Sequence, residues 1–390
     1  MKDKKTQAIR LQVRQSHNRE HSTPLYLTSS FTFNNAEQGR ALFADEIQGN
    51  IYSRFTNPNV SELIDKMVLL ENTEDGFAFA SGMAAVFAAF GALLQAGDHV
   101  IASRSLFGST HQILTKILPK WQISHTLVEP DKPQTWEAAI QENTRMFFIE
   151  TPSNPGLDIV DLESAGKLKK KFQLILNVDN TFSTPLLQNP ADFGADLVTH
   201  SATKFLDGQG RVMGGLVLGK KDLLNEIRFF ARQTGPSLSP FNAWMLSKSL
   251  ETLAVRMDRH CENAALLAKT LNHHKELEIV RYPFLPSHPQ FDLAKKQMRQ
   301  GGSIVTFIVR GGYQRAVKFM NALQNTSLTA NLGDTRTIVT HPSSTTHSKL
   351  TDTERERAGI YPGLIRISVG IEHIDDITDD ILQALEKSVS

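Results

Sequence analysis

The chain has 390 residues and a mass of 43.4 kDa, and at roughly 150 residues per domain it implies two or three domains. Its 42 Lys and Arg against 41 Asp and Glu exclude a basic nucleic-acid-binding surface as the main feature, and 40 % hydrophobic with 21 % charged residues excludes a disordered chain. The single cysteine, Cys261, excludes an internal disulfide and a thiolate-rich zinc site, and it points to a reducing, cytoplasmic setting.

The N-terminus stays polar from Met1 to Glu20 and lacks the apolar core of a secretory signal. Residues 1–57 carry few periodic elements and many turn formers, which makes them an arm or a functional segment rather than a loop. Residues 76–97 hold no charge, but they are rich in Ala and Gly and are interrupted at Ser81-Gly82. That pattern predicts a strand over 77–80 and a buried helix over 83–95 rather than a membrane span. Short apolar runs then predict strands over 99–103, 146–150, 174–178, 197–200 and 212–218. Amphipathic stretches over 109–118, 136–142 and 162–171 alternate with the first of these, so the class is α/β with a mostly parallel sheet covered by helices. Ser239-Pro240 reads as an N-cap followed by proline, opening a long helix to about His274 that links two domains. The remainder predicts strands over 304–309 and 365–369 and helices over 313–323 and 375–387, a smaller α+β domain. The division is an arm over 1–57, an α/β domain over 58–245 and an α+β domain over 246–390.

Ligands of an α/β sheet bind beyond the carboxyl ends of its strands. One predicted strand ends in Val178-Asp179-Asn180-Thr181 and the next in His200-Ser201-Ala202-Thr203-Lys204. A third ends in Glu150-Thr151-Pro152-Ser153-Asn154-Pro155, and Ser81-Gly82-Met83 opens a helix whose free N–H groups attract an anion. Singly these are ordinary caps, turns and surface charges. In this order they suit pyridoxal phosphate: a lysine for its aldehyde, a carboxylate for its pyridine nitrogen, and hydroxyls and amides of Ser201, Thr203, Gly82 and Met83 for its phosphate. Phe107, after the 99–103 strand, is placed to cover the ring.

These motifs, together with Pro24-Leu25-Tyr26-Leu27-Thr28-Ser29-Ser30-Phe31 and Tyr52-Ser53-Arg54-Phe55-Thr56-Asn57-Pro58, resemble those of the Cys/Met-metabolism enzymes that depend on pyridoxal 5'-phosphate and have the aspartate-aminotransferase-like fold (fold type I). The resemblance covers nearly the whole chain. It implies that Lys204 is the catalytic Schiff-base lysine and Asp179 the pyridinium partner, with Thr181 beside it. It implies that Tyr52 and Arg54 reach the phosphate in a neighbouring subunit, which makes a homodimer the minimum and a homotetramer the usual state. Arg366 would hold the substrate's α-carboxylate, Asn154 would lie beside that carboxylate and the cofactor, and Asn331 would also face the substrate, where the family often carries serine.

Two details resemble one branch of the family, the O-succinylhomoserine sulfhydrylases. Phe107 stands where the family's lyases carry a tyrosine, and Lys204 is followed by Asp207-Gly208-Gln209-Gly210-Arg211, with Asn331-Leu332-Gly333-Asp334-Thr335 further on. The implied activity is replacement of the acyl group of O-succinylhomoserine or O-acetylhomoserine by sulfide to give homocysteine for methionine biosynthesis. The alternatives within the family are a cystathionine γ-synthase and a cystathionine or methionine γ-lyase. Arg104 and Arg336 are candidates for a second carboxylate. A nicotinamide-dependent oxidoreductase is disfavoured, because Gly208-Gln209-Gly210 lacks the third glycine of the dinucleotide fingerprint. His341 and His347 are too poorly spaced for a helical metal pair, so no metal is expected. Small-molecule substrates, not membranes or nucleic acids, are the expected partners.

Overall fold

The computed structural model describes residues 3–348, 351–357 and 359–389; Met1, Lys2 and Ser390, which fall within the expected arm and C-terminal domain, lie outside them. The larger sheet is built from β1 (Asp75–Phe79), β2 (His99–Ser103), β3 (Ser124–Val128), β4 (Thr144–Glu150), β5 (Ile175–Asp179), β6 (Leu197–Ser201) and β7 (Gly215–Gly219), in the order β1-β7-β6-β5-β4-β2-β3. Strands β3, β2, β4, β5 and β6 run parallel, whereas β7 is antiparallel to both β6 and β1. The reversal at β7 follows from its connection. No helix joins β6 to β7, so the chain returns at the same end of the sheet, as only an antiparallel pair permits. This short return carries Lys204 and keeps it at the carboxyl end of the sheet.

The helix Gly82–Leu93 packs on the sheet beside the helix Lys221–Thr234, and its Ala-rich face lets both approach. Ser81 caps it by accepting the N–H of Ala84. On the other side of the sheet, Pro58–Glu71 packs against β1 and the helix Pro240–Leu250. No helix among the described residues is long and apolar enough to cross a membrane, in keeping with the sequence pattern at 76–97.

The long helix expected after Ser239 is two helices, Pro240–Leu250 and Leu253–Leu271. The break has a cause in the tertiary structure. The buried guanidinium of Arg256 donates to the Ser249 carbonyl at 3.0 Å and to the Phe205 carbonyl at 2.7 Å, so a side chain takes a carbonyl at the helix end. Five strands form the second sheet: β8 (Leu277–Arg281), β9 (Ile304–Val309), β10 (Ser327–Leu328), β11 (Ile338–Thr340) and β12 (Leu364–Ser368), in the order β10-β11-β12-β9-β8. Only β10 and β11 are parallel. Helices Gly312–Ala322 and Ile374–Lys387 cover it around a core that includes Phe307, Phe319, Ile367 and Ile381. The fold is thus aspartate-aminotransferase-like: a large, mostly parallel sheet domain and a smaller α+β one.

The N-terminal segment is mostly extended, with short helices at Lys4–Arg10 and Ala36–Phe43. It is pinned by one buried carboxylate, Glu62, which accepts from Val13 N–H at 3.0 Å and from Ser247 Oγ at 2.6 Å and pairs with buried Lys66 at 3.0 Å. Leu27 and Phe43, both on this segment, remain 72 % and 63 % exposed.

Phe205, next to Lys204, is fully buried and sets its ring edge against His260 at 5.7 Å. Phe205→Ala is expected to destabilise the protein by about 3–5 kcal/mol, read as a fall in the denaturant midpoint.

Candidate active site

Three strand ends meet at one rim. Glu150 ends β4, Asp179 ends β5 and Ser201 ends β6, and the β4–β5 register sets Glu150 directly beside Asp179. Lys204 follows Ser201. Its Nζ donates to Asn331 Oδ1 at 2.6 Å. Asn331 comes from the second sheet's side of the chain, after β10, and it is brought here by Gly333. That glycine has φ +76°, and a Cβ on it would stand 2.6 Å from the Phe205 nitrogen, so no other residue allows the approach.

Arg366, on β12, is 1 % exposed. Its Nη1 donates to Asn154 Oδ1 at 2.8 Å, and its Nη2 donates to the Asn331 carbonyl at 3.2 Å and to Thr340 Oγ1 at 3.3 Å. Its Nε is buried with no partner in the chain. Burial pushes the guanidinium down to about 10. Burial first, and then the nearby Arg366 charge, push Lys204 down to about 8.

A second group surrounds the start of the Gly82–Leu93 helix. A Cβ on Gly82 would lie 2.6 Å from Ser201 Cβ and 2.8 Å from Ser201 Cα, so glycine is required for this helix end to touch β6. Thr181 Oγ1 accepts the Ser201 N–H at 2.9 Å, and the Thr181 N–H donates to Asp179 Oδ1 at 3.0 Å. Thr203 Oγ1 accepts from Gly214 N–H at 3.1 Å and donates to the Gly214 carbonyl at 3.3 Å, so its hydroxyl already braces the β6–β7 return. Met83 meets Thr110 Oγ1 through its sulfur at 4.0 Å. Phe107 follows β2, and its N–H donates to Glu150 Oε2 at 2.8 Å.

Of the residues expected from sequence, Lys204, Asn331, Arg366 and Asn154 are bonded in one row, and Asp179, Thr181, Ser201 and Gly82 meet in a second group. Tyr52 and Arg54 sit elsewhere. The Arg54 guanidinium stacks over Phe55 at 4.7 Å and Tyr52 at 5.6 Å and bonds the Arg232 carbonyl. Arg54 lines a cleft of about 770 Å³ with Phe55, Asp75, Arg228 and Arg232, to which Lys204, Asp179 and Arg366 contribute nothing. Sequence reasoning gave no role to Glu150, whose position at the end of a strand, like that of Asp179, could have marked it, or to Thr340, for which no sequence signal was available. Arg104 and Arg336 each already carry a carboxylate partner: Arg104 pairs with Glu129 at 2.9 Å and Arg336 with Asp334 at 2.8 Å. His341 is held by Ser344 Oγ at 2.8 Å and the Pro362 carbonyl at 2.7 Å. Burial, then Arg366, push His347 down to about 4, so it is neutral near pH 7. Cys261 is buried and pushed up to about 12, which leaves its thiol protonated and unreactive.

These residues fit pyridoxal phosphate. The glycine-cleared helix start and Ser201 would hold the phosphate, Asp179 the ring nitrogen and Lys204 the aldehyde carbon, while the unpartnered Nε of Arg366 keeps a donor for an anion. Gly82→Ala is expected to weaken cofactor retention by about tenfold or more, measured by dialysis of the holoprotein. A lysine amine reacts only when neutral, so the rate at which apoprotein captures the cofactor is expected to rise as pH increases through about 8 and then level off.

The comparisons with known proteins point to the same cofactor. The family model of the Cys/Met metabolism PLP-dependent enzymes matches residues 5–386. An O-succinylhomoserine sulfhydrylase of Pseudomonas aeruginosa is 44 % identical over 97 % of this chain and 94 % of its own. An L-methionine gamma-lyase of Porphyromonas gingivalis is 41 % identical over 94 % of this chain and 93 % of its own. A solved Campylobacter jejuni chain holding N'-pyridoxyl-lysine-5'-monophosphate is 33 % identical, covers 99 % of this chain and 100 % of its own, and superposes with a TM-score of 0.95. The protein belongs to the Cys/Met-metabolism family of PLP-dependent enzymes, and pyridoxal 5'-phosphate is its cofactor.

Proposed function

We propose that the protein replaces the γ-acyloxy group of O-succinylhomoserine, or of O-acetylhomoserine, with sulfide, releasing succinate or acetate and giving homocysteine for methionine biosynthesis. The observation that carries this is the bonded row Lys204–Asn331–Arg366–Asn154, which joins a proton-carrying amine to an anion-binding guanidinium, with a wall residue, Phe107, that has no hydroxyl. The 44 % identity to a sulfhydrylase supports the same branch.

Pyridoxal phosphate, when bound, supplies the electron sink that allows protons to leave Cα and Cβ and the γ-substituent to depart. Asp179 keeps the ring nitrogen protonated. Arg366 binds the α-carboxylate through its fork, and Asn154 sets the plane of that fork. Lys204 takes the Cα proton and then moves the Cβ proton, because Phe107 has none to give or take. Its lowered basicity, to about 8, suits a group that must both accept and return protons near neutral pH. Asn331 Oδ1 orients Nζ by accepting from it. Phe107 stacks and excludes water.

The arm over 1–57 would place Tyr52 and Arg54 at the phosphate of a second copy. The exposure of Leu27 and Phe43 and the separation of Arg54 from Lys204 favour that arrangement. The working unit is then a dimer, in a tetramer of two such pairs, with 58–245 as the cofactor domain and 246–390 as the substrate-closing one. The cytoplasm is its proposed location. A γ-lyase is the second reading, favoured by the 41 % identical methionine gamma-lyase.

Lys204→Ala is expected to abolish both the cofactor's visible absorbance band and turnover. Product analysis separates the branches. O-succinylhomoserine with sulfide should give homocysteine faster than the same ester with cysteine gives cystathionine, and faster than either substrate gives ammonia and a 2-oxo acid. The reverse order would sink the sulfhydrylase assignment.

A further inference from the structure

Glu150 is a carboxyl at the crevice rim that the chemistry above leaves unused. It is 5 % exposed and ends β4. The parallel β4–β5 register pairs it with Asp179, and paired residues of neighbouring strands project to the same face. Its Oε2 accepts the Phe107 N–H at 2.8 Å. The backbone N–H of Asn154 also bonds to it, and the charge of Arg366 acts on it from β12. Glu150 therefore sits among the ring partner, the aromatic wall and the carboxylate-binding arginine.

Two buried carboxyls side by side do not both ionise readily. Asp179 has the better claim on the charge. Burial raises it as well, but it accepts from both the N–H and the hydroxyl of Thr181 and faces His200, and the protonated ring nitrogen of a bound cofactor would add to that preference. We propose that Glu150 is a positioning residue that works as a neutral acid: its carbonyl oxygen seats Phe107, and its lack of charge leaves Arg366 free for the substrate's α-carboxylate. Burial, and then the Asp179 charge, push Glu150 well above the usual carboxylate range, against the pull of the Phe107 and Asn154 amides and of Arg366. The charged and titratable groups acting on it are thus Asp179 from β5 and Arg366 from β12. Lys204 and His347 are shifted down by burial and then by the same Arg366 charge.

The sign follows directly. Below its folded pKa, Glu150 is neutral and Arg366 has no internal counter-charge. As pH rises through that pKa, an ionised Glu150 competes with the substrate's carboxylate for Arg366, so KM rises while kcat is less affected. Glu150→Gln cannot ionise but retains an oxygen to accept from Phe107. Glu150→Ala removes the acceptor and leaves the Phe107 amide unpaired.

The inference rests on the assignment of Arg366 to the α-carboxylate, so one measurement is chosen to be independent of the reaction. In the infrared spectrum of the holoenzyme near neutral pH, the C=O stretch of a protonated carboxylic acid should be present and should vanish in Glu150→Gln. In kinetics, the wild-type KM should rise by about tenfold per pH unit on its alkaline limb, and in Glu150→Gln that part of the rise should be missing. Titrations of the substrate amine and of Lys204 are common to both proteins and cancel in the comparison. Glu150→Ala should lose at least about tenfold in kcat/KM with the cofactor still bound, and Glu150→Gln should recover most of that loss. Absence of the infrared difference overturns the proposal. So does a Glu150→Gln pH profile that superimposes on the wild type, or a Glu150→Gln variant as impaired as Glu150→Ala. If the infrared difference is present but no acylhomoserine is turned over, Glu150 stands as the neutral acid and the substrate assignment fails instead.

Discussion

A buried guanidinium needs several partners, because an unpaired charge in a low-dielectric interior costs several kcal/mol. Arg366 meets that need by reaching from the second sheet to Asn154 in the turn after β4, and to the Asn331 carbonyl and Thr340 on its own side. Its chain therefore spans the junction, and much of the site's arrangement depends on it. Its bond to Asn154 ties the end of β4 to β12. Its bond to the Asn331 carbonyl sets the residue whose amide oxygen receives Lys204. Burial first, and then the Arg366 charge, lower the basicity of Lys204 and of His347. The Nε left without a protein partner shows that the chain alone does not saturate this arginine.

The other constraint is the antiparallel return between β6 and β7. It brings the chain back to the same rim, so Lys204 sits on a braced turn rather than at the start of a helix. Thr203 holds that turn through both backbone groups of Gly214, and buried Phe205 anchors the residue after the lysine. A reactive amine thus stands on a rigid support, while the helix start at Gly82 approaches Ser201 closely enough that any side chain would separate them.

Much of this was legible in the sequence. The strands at 99–103 and 304–309 are where their apolar runs place them, because a strand buried on both faces is a continuous apolar run. Lys204 and Asp179 stood out because they follow such runs, whereas Arg366 was marked only by the resemblance to the family. Less legible was β3, where Ser124, His125 and Thr126 break the apolar pattern on an edge strand. The split of the long helix was also hidden, because its cause is Arg256 reaching the Ser249 carbonyl, a contact with no sequence period. Glu150 looked like a strand end, and only its register beside Asp179 gives it a chemical setting.

The opening balance of charge acquires a local meaning here. By itself the sequence determined the alternation of strands and helices, the order of the motifs and the residue types able to hold a phosphate, a ring nitrogen and an aldehyde. Those follow from hydrophobic period and from chemistry carried within a few residues. The tertiary structure alone decided that Arg366 meets Asn154, that Asn331 receives Lys204, that Arg104 and Arg336 are already paired, and that Arg54 faces a different cleft from the lysine. Each of these depends on residues far apart in the chain meeting in a space where burial, rather than sequence spacing, sets the strength of a charge.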